Sequence, residues 1–165
     1  MCDTSVNRGL FALIVAINVY KNKGIRPLQG SVNDGNAFRK FLGETLHVPD
    51  DQVMMLVDDK ATRAGILKAF FEHFIENSDI KRGDTIVFFF AGHGDRMEAP
   101  PSWQTGGVDG LMVETICPYD ESTEEWGGDY VFGIPDRTFE GLIRRLAHEK
   151  GDNIVRGSVN AAESL

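Results

Sequence analysis

The chain has 165 residues, a formal net charge of −8, and 42% hydrophobic and 25% charged residues. That length suits one domain with a real core. The acidic balance disfavours nucleic acid and anionic membrane, which both ask for a basic footprint. Two cysteines, Cys2 and Cys117, imply neither a disulfide framework nor a zinc spacing.

Residues 9–17, "GLFALIVAI", are continuously apolar and rich in β-branched side chains, which predicts a buried parallel strand. The run is too short to span a bilayer and no small-residue cleavage site follows it, so the expected compartment is cytoplasmic or nuclear. Gly24, Pro27 and Gly30 punctuate the loop that comes next. Asn33 or Asp34 is then expected to cap a helix with Ala37, Phe38, Phe41 and Leu42 as its apolar stripe. "QVMMLVD" predicts a second strand. Thr62 caps a helix whose stripe is Ile66, Leu67, Phe70, Phe71, Phe74 and Ile75.

"DTIVFFFAG" predicts the third strand. Residues 95–135 then form a long glycine-rich excursion around "GLMVETICP", with room for a hairpin. Asp136 is expected to cap a last helix that turns Phe139, Leu142, Ile143, Leu146 and Ala147 inward and ends at Gly151. The order describes an α/β sheet of parallel strands with helices on its faces. A crossover helix should lead to a fourth strand. "VRGSVNAAESL" instead reads as small and polar, so residues 155–165, like 1–8, are expected to lie outside a domain spanning 9–154.

His93 sits between Gly92 and Gly94 at the end of the third strand. In open α/β sheets ligands bind outside the carboxyl ends of the strands. The glycines permit a tight turn that lifts the imidazole out of the sheet, and the Gly94 amide could face an oxyanion. Such a histidine suits activation of a nucleophile on the neighbouring strand; the plain alternative is a histidine in a glycine-rich loop with no role. His47, His73 and His148 are not candidates, because their positions do not converge.

Five segments, "FALIVAINVY", "IRPLQGSVNDGNAFRKFL", "TIVFFFAGHGD", "ICPYDE" and "GIPDRTFEGLIRRLAHEKGDNI", come in the order and at the spacing of caspase-like cysteine peptidases. Residues 10–154 thus resemble the N-terminal half of a caspase/metacaspase domain, with similarity to fungal caspase-domain proteins. The resemblance implies a caspase-like three-layer sandwich with a mostly parallel sheet. It makes His93 the dyad histidine, Gly94 an oxyanion donor, and the activity peptide-bond hydrolysis by a Cys/His dyad on peptide or protein substrates.

It also implies a nucleophilic cysteine at the end of the strand after "KGDNI", and the sequence departs from the family there, at Val155. The expectation is a domain truncated before the nucleophile strand and inactive alone. The alternative is a non-catalytic pseudo-peptidase or interaction fragment that self-associates or pairs with a full-length relative. Without that strand, residues 85–91 would form an exposed apolar sheet edge. Cys117 reads as a small buried hydrophobe rather than a substitute nucleophile.

Asp34 matches the position where metacaspases line a pocket for Arg or Lys, and it leans the reading toward basic specificity; its other role is as a helix cap. Arg26, in the same loop, could pair with Asp34 or an acidic substrate. No cofactor is called for. Calcium stays open, because Asp109, Asp120, Glu121, Glu124, Glu125, Asp129 and Asp136 offer hard oxygens, though no calcium-loop pattern is present.

Overall fold

The computed structural model describes residues 6–100, 103, 110–124 and 130–160, with the backbone alone at residue 160. Strand β1 (Leu10–Ala16) is buried at every position, as its apolar run demands. It pairs in parallel with β2 (Val53–Val57) on one side and β3 (Thr85–Gly92) on the other. The sheet order is β2-β1-β3-β7, all parallel, with β7 spanning Ile154–Asn160. A second, antiparallel sheet combines β4 (Gly94–Glu98), β5 (Met112–Ile116) and β6 (Ile134–Pro135). The hairpin expected in the glycine-rich excursion is therefore present.

Alternation along β1 and β3 divides the core between two faces. Leu13, Val15, Phe88 and Phe90 pack with Ile66 and Phe70 of α2 (Arg63–Phe70) and with Phe139 and Leu146 of α3 (Asp136–Lys150). On the other face, Ala12, Ile14 and Val87 meet Leu42 of α1 (Ser31–Glu44), and Phe38 stacks on Phe89 with centroids 4.6 Å apart. The result is a caspase-like arrangement of a mostly parallel sheet between helical layers.

Several local expectations change. Helix α1 starts at Ser31, with Gly30 as N-cap, so Asn33 and Asp34 lie inside the helix. The missing side-chain cap is supplied from a distance: Asn18 Oδ1 accepts the Val32 N–H at 3.3 Å. Its buried positions are Ser31, Gly35 and Leu42, while Phe41 faces outward. Gly35 explains the rotation, because a Cβ there would come within 2.8 Å of Ala16 Cβ and Met55 Cε. The helix rests on the sheet at that point. Thr62 caps α2 as expected, accepting the Gly65 N–H at 3.0 Å. The chain then widens into a π-turn over Phe71–Ile75 that buries His73. Asp136 does not cap α3; Pro135 is the N-cap, and Asp136 pairs with Arg156 at 3.1 Å. Gly151 closes α3, its N–H bonded to Ala147 O.

The largest correction concerns residues 154–160. They form β7 and pair with β3 along its length, from Ile86 opposite Ile154 to Gly92 opposite Asn160. Residues 85–91 are not a free edge, and residues 155–160 belong to the sheet. Backbone pairing, not apolar content, makes this strand: Val155 and Val159 are 51% and 46% exposed.

Candidate functional site

The loop after β1 builds one wall of the site. Asp58, at φ 44°, accepts the N–H groups of Asn18 and Val19 at 2.7 and 3.1 Å. Leu28 N–H returns to Asn18 O at 2.7 Å. These bonds fix the segment carrying Tyr20 and Arg26 against the carboxyl end of β3.

His93 occupies the single residue between β3 and β4, half-buried. Its Nε2 lies 2.8 Å from Arg26 O. A carbonyl oxygen only accepts, so Nε2 carries the proton and Nδ1 holds the free lone pair. The His93 N–H donates to Tyr20 Oη at 2.8 Å, and the two rings lie 5.4 Å apart. Gly92 is required by space rather than by a left-handed backbone. A Cβ there would stand 2.8 Å from Phe90 Cζ and 3.1 Å from Tyr20 Oη.

Across the hairpin, the Cys117 N–H donates to His93 O at 2.9 Å. The fold thus brings Cys117 beside the histidine, which its sequence context did not indicate. Its side chain nonetheless points into the core, 4% exposed. Burial pushes the thiol up, reinforced by Glu121. Glu121 is itself buried and its carboxyl is pushed up, chiefly by desolvation. Its Oε2 has no hydrogen-bond partner among the described residues. The Cys117 thiol is thereby held in its neutral form.

Beside Gly94 opens a cleft of about 440 Å³ between β7, the β4–β5 hairpin and the start of α3. Phe88, Phe90 and Phe139 line its apolar part, and Asp95, Glu114 and Asp136 bring acidic groups. Two of these are matched by arginines, Arg96 with Glu114 and Arg156 with Asp136.

The family model described as "Metacaspase, peptidase C14 domain" matches residues 11–149. The chain belongs to the metacaspase peptidase family. It is 30% identical over 160 residues to Metacaspase-3 of Arabidopsis thaliana, an alignment covering 93% of this chain and 40% of that protein. Metacaspase-1A of Aspergillus oryzae is 30% identical over 115 residues, or 66% of this chain and 25% of the relative. The chain therefore spans well under half the length of these relatives. The crystal structure of protein GSU0716 from Geobacter sulfurreducens superposes with a TM-score of 0.65 at 19% identity, covering 92% of this chain and 50% of the other. That likeness bears on the fold alone.

In this metacaspase domain, Gly94 opens β4 opposite Ile116 and is exposed. Asp34 stands exposed in the first turn of α1, where a carboxylate complements the helix dipole. Among the described residues, no hydrogen bond or ion pair joins it to His93 or Arg26. The carboxylates considered for calcium have separate employments. Asp120 accepts the Arg63 N–H at the start of α2, Glu124 meets Tyr130 Oη, and Asp136 holds Arg156. Asp109, Glu125 and Asp129 lie outside the described residues. Among the described residues, no group of three potential metal ligands gathers and no helix is long and apolar enough to cross a membrane.

Sequence reasoning singled out His93 but not the groups that the structure places around it. The Arg26 carbonyl is a main-chain group with no sequence signal. Tyr20 and Asp58 carried a faint one, since Tyr20 lies three residues past the first predicted strand and Asp58 ends the second.

Proposed function

We propose that this chain is the histidine-bearing part of a cysteine-type endopeptidase, with His93 as general base and acid. The carrying observation is the Nε2–H bond to Arg26 O, which leaves Nδ1 as the proton acceptor. In the proposed reaction Nδ1 takes the proton of a cysteine thiol and the thiolate attacks a peptide carbonyl. The Gly94 N–H steadies the oxyanion, and the imidazolium then protonates the leaving amine. Asp34 lends the site a preference for basic residues before the cleaved bond.

Within these 165 residues, Cys117 is not the nucleophile in this reading. A buried thiol that desolvation and the neighbouring Glu121 both push up is a poor thiolate source. With Cys2 in the polar stretch that precedes the first strand, the 165-residue chain by itself is non-catalytic in this reading and depends on a cysteine supplied by further sequence or by a relative.

The test is a chimera in which the segment from Ile154 onward is replaced by the corresponding part of Metacaspase-3. It should cleave peptides after Arg or Lys, and His93→Ala should lower kcat/KM by about a thousandfold or more. Asp34→Ala should weaken cleavage after basic residues selectively. The unaltered 165-residue chain should show no turnover. Turnover by that chain that disappears in Cys117→Ala would overturn the assignment, as would a His93→Ala chimera of near-full rate.

A further inference from the structure

We propose that Tyr20 is a positioning residue for His93, its buried hydroxyl fixing the histidine main chain while its ring backs the imidazole. The inference rests on reading His93 as the proton-transfer group. Tyr20 is 2% exposed and belongs to the core cluster on the α2–α3 face. A phenylalanine would fill that space equally well, and a buried hydroxyl costs free energy unless it is used. The use is visible: Oη accepts the His93 N–H at 2.8 Å. The same oxygen crowds Gly92, which leaves no room for a Cβ.

Three restraints on the histidine thus come from one loop. Tyr20 Oη holds its backbone nitrogen, the Tyr20 ring lies 5.4 Å from its imidazole, and Arg26 O holds Nε2. The loop is in turn tied to the segment after β5 by the bond from Lys21 N–H to Tyr119 O at 2.9 Å. Burial raises the phenol well above its ordinary value, so the hydroxyl stays neutral throughout the working range of a histidine. The restraint on His93 is therefore independent of pH, and what it sets is the direction of Nδ1. A shift of about an ångström in that direction is the scale at which such geometry loses its catalytic value.

The experiment uses the intact 165-residue chain, isotope-labelled, and its Tyr20→Phe variant. In the variant the His93 amide should exchange about tenfold faster, as expected for one lost buried hydrogen bond. The imidazole nitrogen shifts should move from a single Nε2–H tautomer toward a mixture. Amides of residues 12–15 and 86–89 should keep their protection. Unchanged His93 exchange and tautomer would overturn the proposal. So would a uniform rise across β1 and β3 in which His93 is no more affected than its neighbours, because that marks packing alone. Should Tyr20→Phe fail to fold, the intact chain decides. A His93 amide protected like those of β3, with one Nε2–H tautomer, supports the proposal; loop-like exchange or mixed tautomers overturn it. These readings need no turnover, so an inactive chimera would count against the peptidase reading and leave this result standing.

Discussion

Strands β1 and β7 flank β3 on opposite sides, each pairing with it in parallel over seven residues. They reach that position by different physics. β1 is buried at all seven positions and is stabilised by its side chains. β7 carries Arg156, Gly157 and Ser158 at its centre and leaves Val155 and Val159 about half exposed. Its stabilisation comes mainly from main-chain hydrogen bonds to a partner already held in place. A strand at the middle of a sheet must be apolar on both faces, whereas an edge strand need only avoid residues that forbid pairing.

Side-chain truncation should separate the two most strongly. Leu13→Ala, at a fully buried site, should cost about 3 kcal/mol. Val159→Ala should cost less than about 1 kcal/mol, because half of its surface already meets water. Urea unfolding of the two variants checks this, and similar losses would mean that β7 contributes to the core as β1 does.

Acid sharpens the contrast next. His73 Nε2 donates to Ala12 O of β1 and to Gln52 O, at 3.0 and 3.2 Å. Burial lowers its pKa below the ordinary value. The neutral ring therefore contributes stability that is complete above about pH 6.5 and is lost as pH falls from there toward the lowered folded value. Each pH unit of that lowering is worth about 1.4 kcal/mol. Glu121 works in the other direction: with its pKa raised, its contribution is complete below about pH 4.3 and fades as pH rises through the folded value. Thermal melts of the wild type and His73→Gln between pH 5 and 7.5 should isolate the first effect. The wild type should lose more stability on acidification than the variant, and parallel curves would remove His73 from the account.

The smallest effect belongs to β7. Its Arg156–Asp136 pair is some two-fifths exposed on each side. Arg156→Ala should cost less than about 1 kcal/mol, and less still in 1 M salt. A loss of several kcal/mol in chemical denaturation would show that the pair, rather than main-chain pairing, holds the strand.

This contrast also explains what the sequence made legible. The strands β1, β2 and β3 and the stripes of α2 and α3 announce themselves because buried positions must be apolar at a fixed period. β7 gives no such sign, since "IVRGSVN" is specified by the strand beside it. The start of α1 was misplaced for a related reason: its capping group belongs to Asn18, thirteen residues before Ser31 in the chain. His93 was readable from its flanking glycines and its place after an apolar run. The proximity of Cys117 was not, because it depends on the register of the β4–β5 hairpin.

The bond from His93 to the carbonyl of Arg26 has a consequence for how the site tolerates change. Every amino acid supplies the same main-chain oxygen, so replacing Arg26 leaves the acceptor in place. A mutational scan would score position 26 as permissive although the contact that sets the His93 tautomer sits on it. The contact is instead vulnerable through the residues that shape the loop. Damage would surface at Asn18 or Asp58, positions that never touch the imidazole, and a map of tolerated substitutions would draw the site in the wrong place.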